Sequence, residues 1–292
     1  MAGSGSGIPA NPEGEPGLRK GPGILFLVAT PIGNLEDVTL RALRVFREVD
    51  WIAAEDTRRT RILLERHGIE CPLISHHAHT EHQRGPRLVA RLLKGERGAL
   101  VTDAGTPGIS DPGFLLARMA REAGIAVETI PGPSAVMAAL AASGLPTDAF
   151  RFGGFLPPRS SARRKALTAV KNEPATLIFF EAPHRIRETL ADIQEVLGAR
   201  PVVLAREITK LHEQFLRGTA AELSTAEFPL KGEFTLLVGK APEEPRVDDE
   251  PVADAVAARI RAGTSRMDAI KAVARERGLS KREVYRLVLG QE

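Results

Sequence analysis

Val101-Thr-Asp-Ala-Gly-Thr-Pro-Gly-Ile-Ser-Asp-Pro-Gly113 is the stretch whose reading decides the fold. Before it, Ala99-Leu-Val-Thr102 reads as a short apolar strand, and after it Phe114-Leu-Leu-Ala-Arg-Met-Ala120 begins a helix. Three glycines, two prolines and two aspartates lie between them. Gly105, Gly108 and Gly113 permit positive φ and close backbone approach, while Pro107 and Pro112 stiffen the path. In a parallel α/β sheet, ligands bind at such loops, outside the carboxyl ends of the strands. An ordinary strand-to-helix turn is the alternative reading of this stretch alone.

Working outward, the strand–loop–helix pattern repeats. Ile24-Leu-Phe-Leu-Val-Ala29 is a continuous apolar run suited to a strand buried on both faces, followed by the loop Thr30-Pro-Ile-Gly-Asn34 and a helix over Leu35–Val49. Asn34 or Asp37 is the expected cap of that helix. Trp51–Ala54 and Ile125–Ile130 read as further strands, and Pro131-Gly-Pro-Ser134 opens the small-residue helix Ala135–Ala142. This predicts a parallel sheet with helices on both faces. Neither GxGxxG nor GxxxxGK[ST] follows the first strand, so a dinucleotide-binding or P-loop assignment is unsupported.

Phe152-Gly-Gly-Phe-Leu-Pro-Pro158 reads as a turn-rich domain junction. Beyond it, Ala175–Phe180, Val202–Ala205 and Gly232–Val238 are strands, and Ile186, Leu190, Ile193 and Leu197 mark an amphipathic helix. This half predicts a mixed sheet. The expected organisation is a disordered tail over 1–23, α/β domains over 24–150 and 151–241, a linker over 242–251 and a helical module over 252–292. In the module, Gly278 ends one helix and Ser280-Lys-Arg-Glu283 opens the next as a capping box.

The chain has 292 residues, 43% of them hydrophobic, enough for two domain cores. Charge is nearly balanced, 40 Lys+Arg against 37 Asp+Glu, so any nucleic-acid contact must come from local distribution. Residues 151–173 hold six basic residues and one acid, with Arg163, Arg164 and Lys165 as candidate phosphate contacts. A single cysteine, Cys71, excludes an intramolecular disulfide and fits a reducing cytosol. No apolar run approaches the roughly 20 residues that span a bilayer, so a cytoplasmic protein with no membrane contact is expected. Four of the seven histidines fall in 76–82, but without a ligand-like spacing, and no metal is expected. Glu55, Asp56 and Arg58, at the end of the second strand, could hold a polar substrate.

The serial order of the loops is more informative than any one of them. Ala29-Thr-Pro-Ile-Gly-Asn-Leu35, Ala54-Glu-Asp-Thr-Arg58, Thr102-Asp-Ala-Gly-Thr-Pro107, Pro131-Gly-Pro-Ser134, Gly154-Phe-Leu-Pro157, His184-Arg185 and Ala205-Arg-Glu-Ile-Thr209 occur in succession. Together they resemble the small-subunit ribosomal RNA methyltransferase I family, within the tetrapyrrole methylase superfamily, over about residues 24–290. The resemblance implies two α/β domains with an S-adenosylmethionine cleft between them, and a homodimer. It implies 2′-O-methylation of a cytidine ribose in the decoding region of 16S ribosomal RNA, on the RNA or the small ribosomal subunit. Pro31, Asp103, Ala104, Gly105, Thr106 and Ile109 are then the principal cofactor residues, with Ser134, Phe180, Ala182, Glu207 and Thr235 at neighbouring strand ends. Glu55, Asp56, Glu207 and Lys210 are candidate bases or orienters of the ribose hydroxyl, with Lys210 and Glu207 preferred. Two other readings keep the fold: a methylase acting on a tetrapyrrole or protein side chain, and a non-catalytic RNA-binding assembly factor.

Overall fold

The computed structural model describes residues 23–77, 80–110, 112–242 and 251–289. The expected tail (all but Gly23), the interior of the 242–251 linker, His79 of the histidine cluster and residues 290–292 lie outside the described residues.

Five parallel strands form the first sheet: β1 (Ile24–Val28), β2 (Trp51–Ala54), β3 (Leu73–Ser75), β4 (Arg97–Val101) and β5 (Ala126–Ile130), in the order β3-β2-β4-β1-β5. Period-two alternation divides their side chains between two cores. Phe26, Val28, Ile52 and Ala54 pack under α1 (Leu40–Glu48) and α2 (Thr57–Arg66). Leu25, Trp51 and Ala53 pack under α3 (Glu81–Leu93) and α4 (Phe114–Glu122). The indole of Trp51 needs a neighbour without a side chain: a Cβ on Gly98 of the adjacent strand would sit 2.3 Å from its ring.

The helix expected over Leu35–Val49 is divided. A 3-10 turn, Leu35–Asp37, is capped by Asn34, whose side chain accepts the Glu36 N–H. Val38 is then extended, and Thr39 starts α1 by accepting the Ala42 N–H at 3.1 Å. Two caps so close together force the break.

The second sheet is mixed, in the order β6-β7-β10-β8-β9. Its strands are β6 (Phe150–Phe155), β7 (Thr176–Glu181), β8 (Pro201–Arg206), β9 (Gln214–Thr219) and β10 (Phe234–Val238). β6 and β7 are parallel, and the other pairings are antiparallel. One face is covered by α6 (Ser160–Thr168), α7 (Ile186–Leu197) and α8 (Ala220–Thr225). The opposite face is covered by α5 (Ala135–Ser143), whose Val136, Ala139 and Leu140 pack on Ile178, Val203, Ala205 and Leu237. In packing, α5 therefore goes with the second sheet, and the chain crosses between sheets at Pro131–Ser134, ahead of residue 150. Its alanine-rich sequence, apolar as far as Ala142, matches a helix pressed close to a sheet.

The Phe152–Pro158 stretch also differs from expectation, because β6 runs through it. Its register shifts between Phe152 and Phe155, where Gly154 has φ +63° and a Cβ on Gly153 would lie 2.5 Å from the Phe179 ring. The Gly-Gly pair is a bulge inside a strand. At the C-terminal end, α9 (Val252–Arg261), α10 (Arg266–Glu276) and α11 (Lys281–Leu289) share a small core of their own. Ser280 and Glu283 form the reciprocal capping pair, at 2.8 and 3.2 Å.

Candidate active site

Both sheets direct loops into one cleft. Main-chain bonds between Thr30 and Gly105, at 2.9 and 3.0 Å, tie the loop after β1 to the loop after β4. The Thr30 hydroxyl donates to the Thr102 carbonyl at 3.1 Å and fixes the same junction. A cavity of about 620 Å³ opens beside it, between the two sheets. That volume is in the range of cofactor pockets.

Eight of the eleven sequence-predicted cofactor residues line this cavity: Ala104, Gly105, Thr106, Ile109, Ser134, Phe180, Ala182 and Thr235. Pro31, Asp103 and Glu207 do not. Pro31 is buried, and its neighbour Ile32 faces the cavity instead. The Asp103 carboxylate turns toward α2, accepting the Asp56 N–H at 3.0 Å and lying 3.5 Å from Arg59.

An aromatic wall escaped the sequence reading. Phe150, Phe152 and Phe155 of β6 stand with Phe180 on the cavity, and the Phe152 and Phe155 centroids are 4.9 and 5.6 Å from that of Phe180. Their spacing was the available signal, masked by the bulge. Glu181 also reaches the cavity wall, but its charge is committed internally. Its carboxylate accepts from Arg185 at 2.5 Å, from the Ala182 N–H at 2.8 Å and from the Thr189 hydroxyl at 2.6 Å.

Among the described residues, three non-glycine side chains sit at positive φ: Ser110 (63°), Glu207 (52°) and Thr209 (65°). Backbone strain of this kind gathers at functional sites, and here Ser110 lines the cavity while Glu207 and Thr209 flank Ile208, which lines it too. The stem of Lys210 crosses Gly33 of the other domain so closely that a Cβ there would be 2.5 Å from Lys210 Cγ. This accounts for glycine in Thr30-Pro-Ile-Gly-Asn34.

Lys210 Nζ donates to Glu207 at 2.8 Å and to Glu233 at 2.9 Å. Burial alone would lower its pKa, yet the two carboxylates outweigh burial and hold the ammonium above the ordinary lysine value. Burial likewise acts to raise Glu207, and the bonds from Lys210 and the Glu233 N–H hold it below the usual glutamate range. A lysine base would need its pKa lowered; Lys210 and Glu207 here form an ion pair.

At the end of β2, Asp56 is drawn down to about 2 by the Arg58 side chain and backbone N–H. It caps α2. Glu55 differs: burial pushes its carboxyl above the ordinary value, against the hydrogen bond from the Asp103 N–H at 3.3 Å.

The basic run is corrected at Arg163, which is 1% exposed and cannot meet RNA phosphates. Its Nε donates to Asp192 at 2.6 Å, and Glu188 lies 3.4 Å away. Arg164 is half-exposed but holds Asp192 and Glu195 at 2.6 and 2.5 Å. Lys165 is exposed. Of the histidines, His76 is fully buried with its Nε2 3.6 Å from Glu81. No helix among the described residues is long and apolar enough to cross a membrane.

The family model described as Tetrapyrrole (Corrin/Porphyrin) Methylases matches residues 25–224. A protein named ribosomal RNA small subunit methyltransferase I, from Halalkalibacterium halodurans, is 48% identical over 92% of this chain and 96% of its own length. One of the same name from Xylella fastidiosa (strain Temecula1) is 54% identical over 76% of this chain and 84% of its own. Among solved structures, uroporphyrin-III-C-methyltransferase from Thermus thermophilus superposes with a TM-score of 0.54 at 23% identity, covering 75% of this chain and 94% of that one. At that identity the last likeness speaks for the fold. The cleft between a parallel and a mixed sheet and the two long sequence matches agree: the chain belongs to the tetrapyrrole methylase family and, within it, to the ribosomal RNA small subunit methyltransferase I group.

Proposed function

We propose that this protein transfers a methyl group from S-adenosylmethionine to the 2′-hydroxyl of a cytidine in small-subunit 16S ribosomal RNA. The observation that carries the reading is the single cavity joining the Ala104–Thr106 loop of one sheet to Phe180, Ala182 and Thr235 of the other. The relatives' names supply the RNA acceptor.

The residues present suit the cofactor. Phe150, Phe152, Phe155 and Phe180 give an apolar surface for a purine, and the Ala104–Thr106 loop, held by the Thr30–Gly105 bridge, lines the same cavity. Bound there, the sulfonium supplies an already activated methyl carbon, so the protein's main contribution is alignment and exclusion of water. Lys210, kept charged by Glu207 and Glu233, orients the acceptor strand as a cation. The hydroxyl proton then goes to Glu55 or to solvent. Arg58 and Lys165 are the exposed cations left from the sequence-predicted RNA set. We further propose a homodimer, for which large apolar side chains left exposed near the cleft, Phe114 at 68% and Ile109 at 51%, are the support.

The test is methyl transfer from labelled S-adenosylmethionine to small subunits lacking their native modifications, with the RNA digested and mapped by mass spectrometry. Label on one cytidine ribose is expected. Transfer to a precorrin-like acceptor but not to RNA would replace the acceptor and keep the cavity. Analytical sedimentation at a monomer-sized coefficient across micromolar concentrations would remove the dimer.

A further inference from the structure

Helix α4 begins at a residue that cannot cap it. Its N-cap is Gly113, which has φ +121° and no side chain to accept the first free N–H groups. Another residue is barred there, because a Cβ would lie 2.6 Å from Leu100 Cδ2. The missing acceptor comes from a different helix. Glu81, first residue of α3, sends one carboxylate oxygen to the N–H groups of Gly113, Leu115 and Leu116, at 3.1, 3.1 and 3.2 Å. Glu81 is 9% exposed, and it stands at the end of the segment that supplies Ala104, Gly105, Thr106, Ile109 and Ser110 to the cavity.

We propose that Glu81 is a positioning residue for the cofactor, holding the downstream end of the cavity loop while the Thr30–Gly105 bridge holds the upstream end. The inference rests on the cofactor reading of the cavity given above. The loop closes on itself through the Gly108 N–H and the Pro112 carbonyl at 3.2 Å, directly before the glycine that Glu81 grips. A charge aimed along a helix N-terminus and three N–H groups gathered on one oxygen make a stiff anchor. Losing it leaves three N–H groups without their acceptor at a partly buried helix start. The loop then samples other paths, and the cavity must be rebuilt each time a cofactor binds. Glu81 touches neither cofactor nor acceptor in this scheme, so it acts on affinity and not on the chemical step.

The experiment is cofactor binding by calorimetry on full-length protein, together with kcat and KM for S-adenosylmethionine in methyl transfer to small subunits. Glu81→Ala is expected to weaken binding and raise KM at least tenfold, with kcat at saturation within threefold of wild type. Glu81→Gln, whose amide oxygen can still accept those N–H groups, should recover most of the affinity. Glu81→Asp keeps the charge but withdraws it by one methylene; it should bind like the alanine variant, and it decides the matter should the alanine protein fail to fold. Glu122→Gln, at the exposed far end of α4, is the control for changes to that helix. Wild-type affinity in both the alanine and aspartate variants, or equal loss in Glu81→Gln and Glu81→Ala, overturns the proposal. Failure of wild type itself to bind S-adenosylmethionine overturns the cofactor reading instead, and the two failures are thus distinct.

Discussion

The Thr209 hydroxyl donates to the Asp37 carboxylate at 2.5 Å, joining residues 172 positions apart across the two domains. Thr209 reaches that partner from a left-handed backbone, φ +65°, further pinned by its N–H on Glu213 at 2.6 Å. A strained residue held from both sides keeps the domains at a fixed separation. Thr209→Val and Asp37→Ala are each expected to loosen the cleft. In a double-mutant cycle on stability their coupling should be about 1 kcal/mol, the scale of a single hydrogen bond. Fully additive effects would show that the contact bears no load.

Lys210 is cationic at neutral pH, so a replacement that preserves charge should preserve function. Single-turnover methyl transfer by Lys210→Arg is expected within about tenfold of wild type, and Lys210→Ala should fall well below it. A proton-accepting amine would behave otherwise. Loss of a general base costs about 10²–10⁴-fold, and arginine could not replace it. Equal inactivity of the two variants would restore lysine as the base.

Glu55 carries the opposite shift. With its pKa raised by burial, the folded protein binds the proton more tightly than the unfolded chain, so ionisation at neutral pH costs stability. Glu55→Gln is therefore expected to melt no lower than wild type at pH 7. If the carboxylate also takes the hydroxyl proton, the wild-type rate rises with pH through a midpoint above the ordinary glutamate value, and the variant loses that limb. A matching profile in wild type and variant would assign the proton to solvent.

Arg163→Ala should unfold the protein without weakening RNA binding in the folded fraction. Asp192 is nearly as buried as its partner, and removing one member of a buried pair costs about 3–5 kcal/mol. Denaturant titration measures that loss. RNA affinity is better tested with Lys165→Ala alone, where the fold should be indifferent.

His76 makes stability fall in mild acid. Burial lowers its proton affinity; Glu81 pulls the other way, and Arg84 and His77 add to the lowering. The folded ring takes up a proton less readily than the unfolded chain, which does so as pH drops through about 6.5, so stability is lost below that value. The urea midpoint should fall between pH 7.5 and 5.5, and His76→Leu should flatten the slope. An unchanged slope would place the acid sensitivity elsewhere.

Four of the five strands of the parallel sheet were legible, β1 and β2 as continuous apolar runs and each followed by a loop or capping side chain, whereas β3, three residues long, was not. The cleft was implied by the family that the order of those loops resembles. What the sequence hid was tertiary. The bulge at Gly153-Gly154 makes β6 read as a turn, so its phenylalanines were not seen as a wall. α5 carries no polar stripe to show which sheet it covers. Arg163 looks identical to Arg164 in sequence, and only Asp192, brought over by α7, makes one a core residue and leaves the other half-exposed. Glu81 gave no sign at all, because the helix end it serves lies 32 residues downstream.

The place of β10 in the second sheet has a consequence for the order in which the protein can be assembled. It is the last strand among the described residues, yet it lies between β7 and β8 and is hydrogen-bonded to both. A nascent chain that has emerged only as far as residue 230 already holds every strand of the first sheet, but the second exists as two separate pairs with facing open edges. Thr235, which lines the cavity, arrives on that same closing strand. During synthesis the cavity therefore cannot precede the completed sheet, and the exposed edges of β7 and β8 must stay unpaired with anything else until their central partner leaves the ribosome.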